Sequence, residues 1–417
     1  MPRSKTTAAT KTTPAEGQYL DSPKNKWKIG TKIGSGACGS VHHLVKCSSS
    51  STSSSSSSSS SKWVVKLAVI PPPPAPGSSV PKRKKKKNLM ELNADLLYHE
   101  NTLYRNVLND LRGTMVPDVP MGSGCPIGFG DIEGYRFIVM ERMEAPLSSL
   151  IPIIYQESIK SSSSSSSKSR SKRNRPSSSS SSSQPSKNNT IIHFGTISSR
   201  LVTLLEAMHN LDRVFIDVKP ENFMLASASS SPSPSSSKSK RKTNEQNNLE
   251  DRIRMIDLGL VESYLDVTIR KSNKHRLDEM SGSIAGTPLY ASRNVMRGHT
   301  ISRRDDLEAC GYVICELILQ LREYASDCSR SSSSNEVDVK ENLLPWSGGT
   351  SDEQLLRLKE KALSNEDGGA FYKSLSSAAG IMEQYFDIVG TMEYRETPDY
   401  TNLRSILSEL TVSLGCS

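Results

Sequence analysis

The amino-acid sequence predicts an α+β fold in which a small β-rich lobe precedes a larger helical lobe. Strand-like alternation of apolar and polar residues is concentrated between residues 27 and 140, whereas helical spacing of apolar residues dominates beyond residue 197. Of the 417 residues, roughly 300 remain once serine-rich tracts are set aside, and that length suits one large two-lobed domain.

Low-complexity tracts interrupt the chain between its predicted elements. They bury too little apolar area to offset chain entropy, so we expect them to be disordered insertions that cost the fold little stability. We also expect a loose polar tail over residues 1–26, a folded domain over 27–410, a first lobe over about 27–140 and a second over about 144–410. The insertions are residues 48–61, 71–88, 161–190, 226–248 and 329–335.

The basic charge belongs to the insertions. The chain carries a net charge of +9, but Lys82–Lys87 and the insertions 161–190 and 226–248 together carry +15, which leaves −6 elsewhere. A nucleic-acid groove built into the fold is therefore not indicated, and we expect only weak contacts of the basic insertions with nucleic acid or acidic proteins.

The seven cysteines form no C-x-x-C pair and no zinc-binding pattern. No apolar stretch is long enough for a signal region or a bilayer span. We expect a soluble, intracellular, monomeric protein with reduced thiols and no membrane partner.

The predicted elements follow in order along the chain. Trp27–Ile33 and Val41–Val45 form a hairpin, Trp63–Ile70 a third strand that ends at prolines, and Tyr135–Met140 a further strand. A helix is predicted from about Leu89 to Leu111.

The second half of the chain is predicted to be mainly helical. Met140–Pro146 is the expected connection between the lobes, and apolar residues from Ile197 to Met208 predict an amphipathic helix. Beyond Asp306 we predict helices through Leu410.

A glycine-rich loop joins the first two strands in the pattern G-x-G-x-x-G-x-V. Glycines let a backbone pass close over phosphates, although an ordinary glycine hairpin has the same appearance. Its position between two strands disfavours a dinucleotide-binding fold. The loop consists of Ile33, Gly34, Ser35, Gly36, Ala37, Cys38, Gly39, Ser40 and Val41.

Charged residues that suit phosphoryl transfer recur later in the chain. Lys66 on the third strand would hold phosphates, with its ammonium group paired to Glu100. The alternative is that Lys66 is a surface lysine and Glu100 a solvated glutamate. Lys62 is a second candidate for the lysine role. In F-I-D-V-K-P-E-N, Asp217 would orient an attacking hydroxyl and Lys219 would stabilise the transferred charge.

Two further oxygen-bearing side chains suit magnesium, Asn222 and Asp257 in M-I-D-L-G. Asp217 and Asp257 are 40 residues apart, but 17 once the 23-residue insertion 226–248 is removed. We therefore expect a short hairpin that brings both acids to one cleft.

The chain resembles the eukaryotic protein kinases, and within them the casein kinase I and vaccinia-related kinase group, from about Trp27 to Leu410 with the insertions removed. Two stretches look closer to the vaccinia-related branch, namely Tyr135–Met140 and the stretch from Tyr385 to Leu407. The sequence of the catalytic loop looks closer to casein kinase I. The residues that carry the resemblance are Asp217–Phe223, Gly286–Ser292, Ser302–Glu308, Leu344–Trp346 and Thr397–Leu403.

The resemblance implies an ATP- and Mg²⁺-dependent kinase of protein serine and threonine, with Met140 and Glu141 at the nucleotide pocket. Three positions depart from the wider kinase pattern: Phe215 and Ile216 stand where His-Arg is usual, and Leu258 where Phe is usual. The resemblance implies that the arginine usual at position 216 binds a phosphate on the activation segment, and the vaccinia-related kinases also lack it, so we expect activity that needs no such phosphate. None of the groups that touch the nucleotide phosphates or the metal is missing, so we expect an active kinase.

One alternative function remains open, and a second is not supported. A catalytically silent pseudokinase scaffold acting through its basic serine-rich arms is the competing interpretation, slightly favoured by Phe215 and Ile216. A small-molecule kinase is not supported by the Ser302–Glu308 and Leu344–Trp346 matches.

The run Pro81–Lys87 looks like a nuclear import signal, although a solvated basic loop has the same composition. We expect the protein in the nucleus, the cytoplasm or both, with the nucleus favoured by this run.

Overall fold

The computed structural model describes most of the chain in two compact units, Met1–Arg142 and Met143–Ser417. The described residues are 17–20, 27–36, 39–47, 61–71, 89–121, 125–166, 190–228, 249–266, 274–280, 284–330, 337–366 and 368–414.

The first unit contains a five-stranded antiparallel sheet in the order β1-β2-β3-β5-β4, with helix α1 against β3 and β5. Its core is the apolar face of this sheet, including Ile29, Leu44, Val65 and Val139. The elements are β1 Trp27–Gly36, β2 Gly39–Lys46, β3 Trp63–Val69, α1 Leu89–Asn106, β4 Phe129–Ile132 and β5 Tyr135–Glu141.

The structure changes two expectations for this unit. The helix predicted to reach Leu111 ends at Asn106, and a separate 3₁₀ turn covers Asn109–Leu111. Within the predicted loose tail, Gly17–Leu20 hydrogen-bond to β1 and Leu20 is buried in the sheet core. The packed chain therefore begins ahead of residue 27, because Leu20 adds apolar area to that core.

Within its described residues the second unit is mainly helical and contains three small sheets, β6-β9-β10, β8-β11 and β7-β12. Its strands are β6 Met143–Pro146, β7 Thr190–His193, β8 Arg213–Val214, β9 Phe223–Ala226, β10 Ile253–Met255, β11 Glu262–Ser263 and β12 Thr411–Leu414. Its helices are α2 Leu150–Ser166, α3 Gly195–His209, α4 Arg293–Met296, α5 Arg303–Arg330, α6 Asp352–Leu363, α7 Ala370–Ser374, α8 Ala379–Thr391 and α9 Tyr400–Ser408.

The boundaries of three predicted insertions are corrected. Helix α2 runs to Ser166, strand β9 includes Ala226, and α5 runs to Arg330. Ordered structure thus enters each of these tracts from its flanking element. In α2 and α5 this is possible because serine is a mediocre but tolerated helix residue. The interiors of the tracts lie outside the described residues.

Strands β6, β7 and β12 of the second unit were not predicted from the sequence. Part of the expected connection, Met143–Pro146, is strand β6 and pairs with β9. Beyond Leu410, Thr411–Leu414 pairs with Thr190–His193 as β12 and β7.

Helix α5 is the centre of the second unit. From Asp305 to Ile318 every residue of this helix is buried. Helix α8 packs against it so closely that a Cβ added at Gly311 would lie 2.6 Å from Cε1 of Phe386. No helix within the described ranges is long and apolar enough to cross a membrane.

Candidate active site

The first unit holds a buried ion pair between strand and helix. The Nζ of Lys66, at the middle of β3, lies 2.8 Å from Oε2 of Glu100 on α1. Their side chains are 9 % and 1 % exposed, so neither is the surface group that the alternative interpretation required. Lys62 instead lies 3.7 Å from Asp118 with its side chain 55 % exposed, which removes it as a rival.

The glycine-rich loop joins two paired strands, as predicted. Gly34 pairs with Val41, Ser35 with Ser40, and Gly36 with Gly39. Gly39 has φ +148°, and a Cβ there would lie 1.8 Å from the carbonyl oxygen of Leu67, so only glycine fits. Ile33 is exposed at the loop's start, while Ala37 and Cys38 lie outside the described residues.

Met140 and Glu141 end strand β5 and are both buried. The backbone N–H of Glu141 donates to the carbonyl of Asp118, and its Oε2 accepts from the N–H of Asp118 at 3.1 Å. These two hydrogen bonds to Asp118 hold both the backbone and the carboxylate of Glu141 in place, so the carboxylate has a structural role.

The second unit positions the loop Phe215–Asn222 through the N-terminal turn of α5. The carboxylate of Asp306 accepts the backbone N–H groups of Phe215 at 2.6 Å and Ile216 at 2.9 Å. It also lies 2.9 Å from Nε2 of His209, whose ring contacts the hydroxyl of Tyr400. These bonds hold Ile216 at φ +73°, a conformation unfavourable for a β-branched residue.

Asp217 is the centre of a hydrogen-bonded cluster in this loop. Its Oδ2 lies 2.8 Å from Nζ of Lys219 and accepts from Nδ2 of Asn222 at 3.1 Å. Its Oδ1 accepts from the hydroxyl of Thr287 at 2.7 Å, and that hydroxyl accepts from Lys219 at 3.1 Å. The carboxylate is 12 % exposed and held on both oxygens, so its orientation is set before any ligand binds.

Gly286 allows the segment that carries Thr287 to approach this carboxylate. It has φ +81°, and a Cβ there would lie 2.9 Å from the carbonyl oxygen of Ile216. A larger residue at Gly286 would push Thr287 away from Asp217.

Asp257 follows strand β10, which pairs with β9 so that Met255 lies opposite Phe223. The next N–H, that of Ile256, donates to the backbone carbonyl of Asn222 at 2.9 Å. The predicted hairpin thus places Asp257 one residue beyond a direct bond to Asn222. Asp257 has φ +58°, a left-handed conformation that aspartate tolerates better than most residues.

Asn222 and Asp257 offer an amide oxygen and a carboxylate, the hard donors that Mg²⁺ takes. Among the described residues no group of three or more acidic, histidine or cysteine side chains forms a complete metal site. Magnesium is usually bound by one or two protein ligands, with phosphate and water completing its shell, so the pair Asn222 and Asp257 fits the metal.

The segment after Thr287 is fixed by its backbone carbonyls. Nζ of Lys359 on α6 donates to the carbonyls of Pro288 at 2.8 Å and Ala291 at 2.6 Å. The indole N–H of Trp346 donates to the carbonyl of Leu289 at 2.9 Å. Burial lowers the pKa of Lys359 to about 7.

A second anchor ties α4 to α5. The backbone N–H and Nε of Arg293 both donate to Oε1 of Glu308, at 2.8 and 3.0 Å. Burial disfavours both charges, yet the pairing raises the pKa of Arg293 and lowers that of Glu308.

The three departures from the wider kinase pattern are all buried apolar residues. Phe215 is 1 % exposed with its ring 6.0 Å from that of Phe223, Ile216 is 7 % exposed, and Leu258 is fully buried. Each fills core space.

In the first unit, Lys66 is paired with Glu100. In the second unit, Asp217, Lys219 and Asn222 form one cluster, and Asp257 lies next to Asn222 in the hairpin. Sequence reasoning assigned no site role to Thr287, Asp306 or Lys359. Thr287 and Asp306 lie in segments that carried the resemblance, so the signal was present in Gly286–Ser292 and Ser302–Glu308. Nothing in the sequence around Lys359 marks it as buried.

Comparison with known proteins gives partial matches to proteins named as casein kinase I homologs. No protein-family model matches the chain. It is 25 % identical over 227 residues to casein kinase I homolog RAG8 of Kluyveromyces lactis, a match covering 54 % of this chain and 34 % of that protein. It is 26 % identical over 222 residues to casein kinase I homolog 1 of Saccharomyces cerevisiae, covering 52 % and 33 %.

A third relative, casein kinase I homolog 3 of Schizosaccharomyces pombe, is 25 % identical over 229 residues, covering 52 % of this chain and 40 % of that protein. The matches thus span about a third of the length of the first two curated relatives. They support a protein kinase relationship, and the mixed helix and strand structure with its five-stranded N-terminal sheet fits a kinase fold.

Proposed function

We propose that this chain is a serine/threonine protein kinase that transfers the γ-phosphate of ATP to hydroxyls of protein substrates, similar to casein kinase I and to the vaccinia-related kinases. The observation that carries the proposal is the cluster in which Asp217 is held by Lys219, Asn222 and Thr287. Protein substrates follow from the kinase relatives and from the fit of the site to a hydroxyl acceptor.

The residues of the chain have distinct parts in the reaction. Asp217 accepts a hydrogen bond from the substrate hydroxyl and aligns its oxygen for attack. Lys219, 2.8 Å from Asp217, is close enough to neutralise charge on the transferred group. Thr287 hydrogen-bonds to both Asp217 and Lys219 and so holds the two side chains in position.

Nucleotide binding falls to a second set of residues. Lys66, braced by Glu100, binds phosphate oxygens, and the glycine-rich loop brings backbone close to the phosphates. Asn222 and Asp257 would hold Mg²⁺, which when bound neutralises phosphate charge and orients the phosphate groups. Met140 and Glu141 lie at the end of β5, where the resemblance places the adenine.

A thermal unfolding comparison separates this proposal from a silent scaffold. With Mg-ATP at about a hundred times its dissociation constant, binding stabilises the native state by roughly 2.7 kcal/mol, so we expect Tm to rise by several degrees. Lys66→Met and Asp257→Asn should reduce the shift, whereas Lys62→Met should not. A wild-type protein that shows no shift at millimolar Mg-ATP would favour the scaffold.

The acceptor residue is tested by incubating the protein with Mg-ATP and a peptide containing serine, threonine and tyrosine. We expect phosphoserine and phosphothreonine by mass spectrometry, and neither with Asp217→Asn. Phosphotyrosine alone would contradict the proposed acceptor class.

A further inference from the structure

Lys359 on helix α6 is a basic residue that solvent does not reach, since it is 0 % exposed. Its Nζ donates to the carbonyls of Pro288 at 2.8 Å and Ala291 at 2.6 Å, and lies 3.4 Å from Sδ of Met296. The same amine lies 5.0 Å from the ring centroid of Tyr312. Lysine is almost never fully buried without a partner, and the two carbonyl oxygens are the strong acceptors that it contacts.

The amine of Lys359 has no carboxylate partner. In the part of the chain that the structure describes, Lys359 forms no ion pair, and two charged groups that act on it are paired with each other, Nε of Arg293 lying 3.0 Å from Oε1 of Glu308. Burial lowers the pKa of Lys359, while Glu308 of α5 raises it and Arg293 of α4 lowers it. An ion pair therefore does not account for a lysine here, whereas the hydrogen bonds to Pro288 and Ala291 do.

The two carbonyls that Lys359 binds belong to a turn that starts at Thr287. The backbone N–H groups of Tyr290 and Ala291 both donate to the carbonyl of Thr287, each at 2.9 Å. The hydroxyl of Thr287 in turn donates to Oδ1 of Asp217 at 2.7 Å. A continuous chain of contacts thus runs from Lys359 through Ala291 and Thr287 to the carboxylate of Asp217.

The turn is held mainly from the core side. Lys359 binds two of its carbonyls, and the indole N–H of Trp346 donates to that of Leu289 at 2.9 Å. Gly286 precedes the turn at φ +81°, and glycine restrains the backbone least of all residues. The position of Thr287 therefore depends on the groups that hold the turn from its other end.

We propose that Lys359 is a positioning residue of the phosphoryl-transfer site, which keeps the hydroxyl of Thr287 on Asp217 by binding the turn Thr287–Ala291 from the core. Lys359 contacts neither reactant and acts through Thr287. The inference rests on the proposed kinase function and adds to it a residue that lies outside the cluster around Asp217.

The first test is steady-state transfer of phosphate to a serine peptide by Lys359→Met. Methionine has a similar length but no N–H donor, so the carbonyls of Pro288 and Ala291 lose their partner. We expect kcat to fall about tenfold with KM for ATP unchanged, because a small displacement of a positioning group lowers the rate strongly. Lys361→Met, the same change at an exposed position of α6, should leave both constants unchanged. An unchanged kcat in Lys359→Met would overturn the proposal.

A double-mutant cycle tests whether Lys359 acts through Thr287. If it does, Lys359→Met should lower kcat by no more than about twofold in a Thr287→Val background, since the hydroxyl that it positions is already absent. A residue that only stabilises the fold would lower kcat by the same factor in both backgrounds. Equal factors, measured well below the Tm of each variant, would therefore refute the positioning role.

A second variant covers the case in which Lys359→Met does not fold. Trp346→Phe removes the N–H that binds the carbonyl of Leu289 and keeps an aromatic ring beside Tyr312. We expect it to lower kcat by a smaller factor than Thr287→Val does, and again by little in the Thr287→Val background. A loss that multiplies in full with that of Thr287→Val would contradict transmission through the turn.

The methyl NMR signal of Thr287, assigned by its disappearance in Thr287→Ser, separates this proposal from the kinase proposal. We expect its chemical shift to change in Lys359→Met and in Asp217→Asn, and to stay in place in Lys361→Met. If it changes in this way but wild type transfers phosphate no faster than Asp217→Asn, Lys359 positions Thr287 and the kinase proposal fails. If wild type is active while the signal and kcat of Lys359→Met match those of wild type, the kinase proposal stands and the positioning role fails.

Discussion

The carboxylate of Asp306 orders the backbone that carries Asp217, since it accepts from two consecutive N–H groups at Phe215 and Ile216. Because these bonds offset the unfavourable φ of Ile216, the loop does not need the usual arginine at that position to keep its shape. This is a physical reason why Ile216 is compatible with catalysis.

Thr287 gives a residue-scale prediction. Thr287→Val keeps the shape of the side chain but removes the hydroxyl that bonds both Asp217 and Lys219. We expect kcat to fall by roughly ten- to a hundredfold, because one hydrogen bond to a charged group contributes roughly 1.5–3 kcal/mol, with little change in KM for ATP. Steady-state phosphate transfer measures both constants.

Thr287→Ser is the control, since it restores the hydroxyl and should recover most of kcat. Equal losses for Val and Ser would contradict the role of this hydrogen bond, because Ser keeps the hydroxyl that Val lacks.

At the scale of elements, the contact of α5 with α8 depends on a glycine. Gly311→Ala would place a Cβ 2.6 Å from Cε1 of Phe386, so we expect a loss of about 1–3 kcal/mol in the free energy of unfolding. Gly380→Ala on α8 meets nothing within 4 Å and should stabilise by up to about 1 kcal/mol. Urea unfolding of both variants tests this, and the same sign for both would refute the packing argument.

Helix α6 gives a prediction about pH through Lys359. Its pKa in the folded state is lowered by burial to about 7, against 10.5 ordinarily, so between these values the unfolded chain binds more protons. The free energy of unfolding therefore rises with pH in that window. The neutral amine still has two N–H donors for the carbonyls of Pro288 and Ala291.

Lys359→Met removes this titration and leaves both carbonyls without that donor. We expect the stability advantage of wild type over Lys359→Met to grow by on the order of 1–2 kcal/mol between pH 7 and pH 9. Urea unfolding at the two pH values measures it. A constant or shrinking advantage would mean that Lys359 keeps its ordinary pKa.

Sequence patterns predicted β1, β2, β3 and β5 of the first unit and helix α3 because their apolar periodicity is local, whereas β4 was not predicted. They could not predict the pairing of Thr190–His193 with Thr411–Leu414, which joins a strand bordering a serine-rich tract to a distant one. The Asp217 loop was predicted from spacing, whereas the roles of Thr287 and Lys359 depend on contacts across more than 60 residues.

At the scale of the whole molecule, the basic charge lies in insertions outside the described residues, and we propose that the run Lys82–Lys87 directs the protein to the nucleus. A fluorescent fusion should concentrate in the nucleus, and alanine at Lys84, Lys85 and Lys86 should shift it to the cytoplasm. Identical distributions of the two fusions would contradict the proposal that Lys82–Lys87 directs nuclear import.

The central claim is that Asp217 and its partners form a working phosphoryl-transfer site. It is tested most directly by the initial rate of labelled phosphate transfer from Mg-ATP to a serine peptide, for wild type and Asp217→Asn of equal Tm. We predict that wild type is at least about a hundredfold faster, since a positioned acid–base residue contributes roughly 10²–10⁴ in rate. Equal rates for the two folded proteins would contradict the claim.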